Sequence, residues 1–234
     1  MSEPALTPFR VMTWNIHAGV GSDGVCDLYR VADFVRLHQP DVAALQEVDS
    51  RKTPGENPAF AFLSDALGGH TAHAKLITAP DGECGHAVFS RWPISSARNH
   101  DISMPGREPR AAIECVVETP FGPLHMVAAH LGLSLRERHR QADLLSSLAR
   151  SGPDRTLILG DFNDWIWPGS VQHALAETMA GRTHHKTFPA RLPLLTLDRI
   201  YWRPRELVAR TWTDPRARVA SDHLPVIGEL ALRL

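Results

Sequence analysis

Apolar residues recur along the chain in short runs that alternate with segments of helical periodicity. Eight runs have the length and composition of strands, at residues 10–16, 41–47, 86–91, 111–119, 124–130, 156–160, 197–202 and 225–232. The turn sequence PFGP joins the fourth run to the fifth and predicts a β-hairpin.

Helical spacing appears between several of these runs. Apolar side chains fall on one face of residues 28–38, and residues 134–150 begin with Ser134 and Glu137 in the spacing of a capping box. Shorter helices are predicted at residues 59–67 and 170–179. Strands that alternate with helices, together with a hairpin, predict an α/β fold in which two mixed, mainly antiparallel sheets pack face to face under outer helices. No repeat or linker interrupts residues 1–234, so we expect a single domain.

The composition is that of a globular chain. Of its 234 residues, 43% are hydrophobic and 22% are charged. No apolar run approaches the roughly 20 residues of a membrane helix, and the N-terminal sequence lacks the basic and apolar regions of a signal peptide. Three cysteines, Cys26, Cys84 and Cys115, show no C-x-x-C spacing and predict neither a disulfide framework nor a zinc knuckle. We therefore expect a cytoplasmic protein, and a monomer.

The charge is nearly balanced overall but uneven along the chain. A formal net charge of −1 argues against a protein that grips nucleic acid over its whole surface. Residues 181–223 nevertheless carry nine basic side chains against four acidic ones. This surplus fits a solvated basic face or a surface that attracts a phosphorylated substrate.

Polar side chains stand where the predicted strands end. In the stretch TLILGDFND, residues 156–164, a buried strand is followed by Asp161, Asn163 and Asp164. Turn residues often end a strand, so one such end carries little information. The pattern recurs, however, and six such ends in one chain predict a site. Its members are Asn15, His17, Glu47, His130, Asp161, Asn163, Asp198, Asp222 and His223.

Seven ordered motifs carry a resemblance to a known family. TWNIH, LQEV, GHAVFSRWPI, AAHLG, GDFND, LDRIY and SDHLPV, which extend from residue 10 to about 228, resemble the endonuclease/exonuclease/phosphatase superfamily of metal-dependent phosphoesterases. The chain looks most similar to the compact bacterial members. The resemblance implies a four-layered α/β sandwich, which agrees with the alternation of strands and helices.

The metal chemistry explains the residue types at two of these positions. A hard divalent cation on a phosphate oxygen reduces the repulsion between an anionic phosphodiester and its nucleophile, and Mg²⁺ prefers oxygen ligands. Glu47 offers a carboxylate and Asn15 an amide oxygen. The resemblance implies that Glu47 is the principal ligand of Mg²⁺ or Mn²⁺ and that Asp222 sometimes joins it. The alternatives are an exposed acid at residue 47 and a turn amide at residue 15.

The resemblance also implies roles in catalysis. Asp161 and Asn163 would orient the nucleophile and the phosphate, and His223, held by Asp198, would act as the acid/base or phosphate-stabilising histidine. The sequence does not decide whether Asp161 or His223 takes the proton of the water. His130 occupies the place of a Tyr or His that touches the scissile phosphate; the alternative is a satisfied polar group.

Other candidates depart from the family pattern or have structural alternatives. His17 stands where abasic-site nucleases of the superfamily carry Asp, which weakens an inference to abasic-site repair. Arg110 is predicted to bind substrate phosphate or, alternatively, to pair with an acid. Trp165 and Trp167 fit either a stacking wall for the substrate or core positions.

These residues predict a metal-dependent phosphodiesterase that hydrolyses a P–O bond by in-line attack of water. The alternatives are a phosphomonoesterase that acts on a small phosphorylated substrate and a non-catalytic module that binds metal or phosphate. Core motifs do not determine the substrate. A small or lipid-like phosphodiester is favoured, with weak binding of nucleic acid.

Overall fold

The computed structural model describes residues 9–51, 58–165 and 169–232. Within this part of the chain, twelve strands and four α-helices are present. The strands are β1 (Phe9–Asn15), β2 (Val42–Asp49), β3 (His70–Ala79), β4 (Gly82–Ser90), β5 (Ile94–Asp101), β6 (Ala111–Thr119), β7 (Gly122–His130), β8 (Thr156–Asp161), β9 (Gly181–Arg182), β10 (Asp198–Arg203), β11 (Val208–Trp212) and β12 (Val226–Leu230). The helices are α1 (Leu28–His38), α2 (Ala59–Leu67), α3 (Leu135–Ser151) and α4 (Ser170–Leu175).

The strands form two sheets of six, ordered β11-β12-β1-β2-β4-β3 and β5-β6-β7-β8-β10-β9. In each sheet one pair is parallel, β1 with β2 and β7 with β8, and the other pairs are antiparallel. This arrangement confirms the predicted mixed, mainly antiparallel sheets. The hairpin predicted at PFGP joins β6 to β7, with Thr119 opposite Gly122.

Alternating side chains divide the interior into three apolar layers. One layer lies between the sheets and contains Val11 and Val88 from the first sheet with Ile113 and Leu159 from the second. A second layer packs the outer face of the first sheet against α1 and α2, and a third packs the outer face of the second sheet against α3 and α4. The side chains of consecutive residues on a strand point to opposite faces of the sheet, so each central strand contributes side chains to two layers. The result is the four-layered α/β sandwich that was expected.

The eight predicted strands are confirmed, and the four that the pattern missed are the four edge strands, β3, β5, β9 and β11. An edge strand is partly covered by solvent, so its sequence needs little apolar periodicity. In β5, ISSARNHD, every residue is exposed or half-buried. The helix predicted at residues 170–179 is shorter and ends at Leu175. Ser134 caps α3 as expected, because its hydroxyl accepts the Glu137 N–H at 3.2 Å.

The register brings the functional ends of the two sheets to the same edge. Asn15 pairs with Gln46, His130 with Asp161, and Asp161 with Asp198. Among the described residues, no helix combines the length and the apolar character needed to cross a membrane.

Candidate active site

Asn15 joins the two sheets at this edge. Its amide nitrogen donates to Glu47 Oε1 at 2.9 Å, within the first sheet, and to Asp161 Oδ2 at 3.0 Å, in the second. Its amide oxygen accepts the backbone N–H of His17 at 3.0 Å. The amide thus presents its nitrogen to Glu47 and Asp161, because two flanking carboxylates require a donor. The role of Asn15 as an oxygen ligand for a metal stays a prediction.

Three residues of the site have left-handed backbone conformations. The φ angles are 46° at His17, 53° at Glu47 and 49° at Asn163. Such a conformation costs a non-glycine residue roughly 1–2 kcal/mol. At Glu47 it accompanies an irregularity in the pairing of β2 with β4 between Leu45 and Val48. The fold therefore maintains local strain where it presents these side chains, as functional sites often do.

Two carboxylates and His17 form the most open part of the site. The side chains of Glu47 and Asp222 are 35% and 40% exposed, and His17 Nδ1 lies 3.2 Å from Glu47 Oε2 and 3.9 Å from Asp222 Oδ1. Burial raises the pKa of Glu47, but His17, His130 and Asn15 together outweigh burial and hold that pKa well below its usual range. Asp222 Oδ1 has no hydrogen-bond partner among the described residues. Oxygen atoms are therefore available here for a hard cation.

His223 and Asp198 form the expected dyad. His223 Nδ1 lies 2.8 Å from Asp198 Oδ2, and both side chains are buried. Burial lowers the pKa of His223, but the Asp198 carboxylate outweighs burial and raises it to about 10. Ser221 fixes the backbone here: its hydroxyl accepts the His223 N–H at 3.0 Å and donates to the Asn15 carbonyl at 2.7 Å. The geometry holds an imidazolium in place.

Asp161 lies at the centre of the site. It is buried, its Oδ1 accepts the backbone N–H of Asn163 at 3.0 Å, and its Oδ2 lies 3.9 Å from His223 Nε2. Burial and the Asp198 carboxylate raise the pKa of Asp161 to about 6. The side chain of Asn163 donates to the Leu131 carbonyl at 2.9 Å and so ties the loop after β7 to the loop after β8.

His130 faces Asp161 from the neighbouring strand. Its Nε2 lies 3.6 Å from Asp161 Oδ2 and 3.9 Å from Glu47 Oε1, and its Nδ1 lies 3.2 Å from the Arg110 guanidinium. Because a guanidinium can only donate, Nδ1 accepts and the ring proton belongs on Nε2, directed into the site. Burial and Arg110 lower the pKa of His130 to about 3, so the ring is neutral at physiological pH.

Arg110 makes the ion pair of its structural alternative, and its contact with substrate phosphate stays a prediction. It pairs with Glu108 at 2.8 Å, and it also lines a cavity of about 200 Å³ with Glu47 and His130. Trp165 is 56% exposed, so its interpretation as a core residue is wrong, while its contact with substrate stays a prediction. Trp167 lies outside the described residues.

Part of the basic surplus of residues 181–223 makes bonds within the fold. Arg199 donates to the Asp164 carbonyl, and Arg203 donates to the Gly152 carbonyl, both within 3.0 Å. Arg210 pairs with Glu229, and Arg216 pairs with Asp214. The interpretation as a solvated basic face is therefore wrong for Arg199 and Arg203, whereas Arg210 and Arg216 keep exposed side chains.

Sequence reasoning gave no role to the buried polar residues that support the site. Asp164 accepts the N–H groups of Ser170 and Val171, each at 3.1 Å, at the start of α4. Arg138, fully buried within α3, donates to the Leu133 carbonyl, and its Nε lies 3.8 Å from Asp164 Oδ1. The second aspartate of the motif GDFND is Asp164, so the motif itself was a signal for this residue. Helical spacing was a signal for Arg138, which lies four residues before Ala142 and seven before Leu145 on the buried face of α3.

The chain resembles proteins of known families along nearly its whole length. Residues 12–223 match the model of the Endonuclease/Exonuclease/phosphatase family. The protein YbhP of Escherichia coli strain K12 is 36% identical over 251 aligned positions, which cover 96% of this chain and 96% of YbhP.

Solved structures share the fold. The endonuclease/exonuclease/phosphatase from Beutenbergia cavernae DSM 12333 is 25% identical and has a TM-score of 0.76, with 96% of this chain and 72% of that chain covered. The mannosyl-6-phosphatase Bt3783 of Bacteroides thetaiotaomicron VPI-5482 is 18% identical and has a TM-score of 0.73, with 95% and 99% covered. Because the family model spans most of the sequence and YbhP matches it almost end to end, the chain belongs to the endonuclease/exonuclease/phosphatase family of hydrolytic phosphoesterases.

Proposed function

We propose that the chain hydrolyses a phosphodiester by in-line attack of water, with a divalent cation held beside Glu47. The observation that carries this proposal is the environment of Asp161. Its buried carboxyl lies 3.6 Å from His130 Nε2 and 3.9 Å from His223 Nε2, and the Asn15 amide connects it to the half-buried carboxylate of Glu47. In this proposal Asp161 is the proton acceptor, His130 and His223 are the donors, and Glu47 holds the cation around the same space.

Glu47 and Asp222 would hold Mg²⁺ or Mn²⁺. Both present carboxylate oxygens, and Asp222 Oδ1 lacks a hydrogen-bond partner among the described residues. When bound, the cation offsets negative charge on the phosphate. The buried group of Asp161, Asp198 and His223 brings ligand atoms within 4.8 Å of one another, but a protonated His223 has no lone pair for a metal. We therefore assign the ion to Glu47 and Asp222.

The protonation states of Asp161, His223 and His130 suit each of them to a different catalytic role. With a pKa of about 6, Asp161 is ionised at neutral pH and accepts the proton of the attacking water. His223, with a pKa of about 10, stays protonated and donates to the phosphate or to the leaving oxygen, while Asp198 stabilises its charge. His130 donates through Nε2–H to a phosphate oxygen. Asn163 keeps Asp161 in place through its backbone N–H.

A phosphomonoesterase is the second candidate. The cavity of about 200 Å³ beside Glu47 and His130 contains Arg110, whose guanidinium suits the additional negative charge of a monoester. The fold neighbour Bt3783, described as a mannosyl-6-phosphatase, is consistent with a small phosphorylated substrate. A non-catalytic binding module is the third candidate and is disfavoured, because each group required for hydrolysis is present.

Hydrolysis of chromogenic esters separates these candidates. The chain would be assayed with bis-p-nitrophenyl phosphate and with p-nitrophenyl phosphate, each with Mg²⁺, with Mn²⁺ and with a chelator. We expect faster cation-dependent turnover of the diester. Faster turnover of the monoester would favour the phosphomonoesterase, and no turnover of either ester together with undetectable cation binding would favour the non-catalytic module.

A further inference from the structure

Exposed apolar side chains surround the candidate active site. Five of them, between 50% and 72% exposed, lie in loops that adjoin the catalytic strand ends; we call them the apolar rim: Leu133, Trp165, Leu192, Leu194 and Val219. Leu133 follows β7 and Trp165 follows β8. Leu192 and Leu194 precede Asp198, and Val219 precedes His223. Large apolar side chains gathered around a site are uncommon on a surface that meets only water.

Contacts between the loops make the apolar rim continuous. Arg138 connects the loop that bears Leu133 to the loop that bears Trp165, because its side chain donates to the Leu133 carbonyl and pairs with Asp164, the neighbour of Trp165. Trp165 and Leu194 line one cavity of about 240 Å³.

On the other side, Arg191 donates to the Ser22 carbonyl, and the Ser22 N–H donates to the Arg218 carbonyl at 2.8 Å. The loop that bears Leu192 is thereby tied to the loop that bears Val219. These contacts connect the loops that bear the five side chains to one another.

The same loops carry exposed basic side chains. Residues 131–136, 183–197 and 215–221 contain no Asp or Glu, whereas exposed basic side chains are present at Arg136, Lys186, Arg191 and Arg218. The partly exposed acid that follows them, Asp222, belongs to the proposed cation site. Apolar side chains mixed with basic ones are typical of protein surfaces that bind anionic lipid interfaces. A nucleic acid backbone would use the charges but would leave the leucines in water.

We propose that the apolar rim docks on an anionic phospholipid surface, so that the site meets the phosphodiester of a lipid head group. This inference rests on the proposed function for the identity of the reacting bond. The docking itself depends only on the exposed apolar and basic side chains. Soluble phosphodiesters would enter the same site without using the rim.

Vesicle binding tests the docking. The chain would be floated with vesicles of phosphatidylcholine alone and of phosphatidylcholine with phosphatidylglycerol, and tryptophan emission would be recorded. We expect binding to the anionic vesicles with a blue shift of the emission. In the double variant Leu192→Ser/Leu194→Ser, affinity should fall at least about 10-fold, because two apolar contacts with the lipid are lost. The matched control is Leu37→Ser, which removes a leucine that is 58% exposed on α1 and should leave vesicle affinity unchanged.

The outcomes separate this inference from the proposed function. If wild-type chain turns over bis-p-nitrophenyl phosphate but does not bind anionic vesicles, the docking is refuted and the proposed function stands. If it binds vesicles but hydrolyses no phosphodiester, the docking stands and the proposed function fails. Equal loss of affinity in Leu37→Ser, or tight binding of plasmid DNA in place of vesicles, would also overturn the docking. Thermal unfolding of both variants at the wild-type midpoint would verify that they fold.

Discussion

Acid should destabilise this fold through His86, a residue that the proposed chemistry does not use. His86 lies on β4, fully buried, and neither ring nitrogen has a hydrogen-bond partner among the described residues. Burial, helped by the charge of Arg110, lowers the pKa of His86 to about 4. The folded chain therefore holds this imidazole neutral.

The magnitude follows from the linkage between protonation and folding. In the unfolded chain the pKa of a histidine is about 6.5, so between that value and about 4 the unfolded state binds a proton that the folded state does not. Stability is fully present above the unfolded pKa and is lost as the pH falls towards the folded pKa. From pH 7 to pH 5 the loss attributable to His86 is about 2 kcal/mol.

The variant His86→Leu isolates this contribution. Leucine has a similar volume and cannot be protonated, so the fall in the free energy of unfolding between pH 7 and pH 5 should be smaller by about 2 kcal/mol than in wild type. Urea unfolding at the two pH values, followed by tryptophan fluorescence, measures the difference. His70→Leu replaces an exposed histidine on β3 and serves as the control. An equal fall in wild type and His86→Leu would refute the reasoning.

Three further predictions concern the dyad, the buried support and the substrate. His223→Ala should lower turnover in steady-state assays at least about 10²-fold. Asp198→Asn should lower turnover less, because it disturbs the orientation of the histidine without removing it. A larger loss of turnover in Asp198→Asn than in His223→Ala would exclude the dyad. Asp164→Ala should lower the free energy of unfolding, measured in urea, by about 3 kcal/mol or more. The reason is that Arg138 and Arg199 lose their carboxylate partner and α4 loses its cap. A change under about 1 kcal/mol would contradict this prediction. Binding to duplex DNA should be weak; sub-micromolar affinity at physiological salt, with a salt dependence of roughly five or more phosphate contacts, would identify a nuclease instead.

Periodicity predicted the interior of the fold better than its edges. The central strands serve two apolar layers, so their sequences are rich in buried residues, and α1 was predicted with its observed bounds, Leu28–His38. Edge strands such as β5 lack this signal because solvent covers one side. The short helix α4 depends on a side-chain cap from Asp164, a contact that local pattern does not encode.

The sequence indicated which polar residues would lie close together, but not how they bond to one another. The motifs indicated Glu47, Asp161 and His223 because Glu47 and Asp161 lie near the ends of recognisable strands and His223 lies just before the last one. The orientation of the Asn15 amide, by contrast, depends on carboxylates 32 and 146 residues away along the chain. The protonation of His130 likewise depends on Arg110, which a strand on the same sheet brings within 3.2 Å. Such properties arise only when distant segments meet.

Cation-dependent turnover by wild type and Glu47→Gln tests the central claim most directly. Bis-p-nitrophenyl phosphate hydrolysis would be measured across a Mg²⁺ titration, with Glu118→Gln, which alters an exposed acid on β6, as the matched control. We predict saturable Mg²⁺-dependent activity in wild type and Glu118→Gln, and loss of most of it in Glu47→Gln with the fold retained by circular dichroism. Near wild-type turnover by Glu47→Gln at limiting Mg²⁺ would contradict the assignment of the cation to Glu47 and the account built on it.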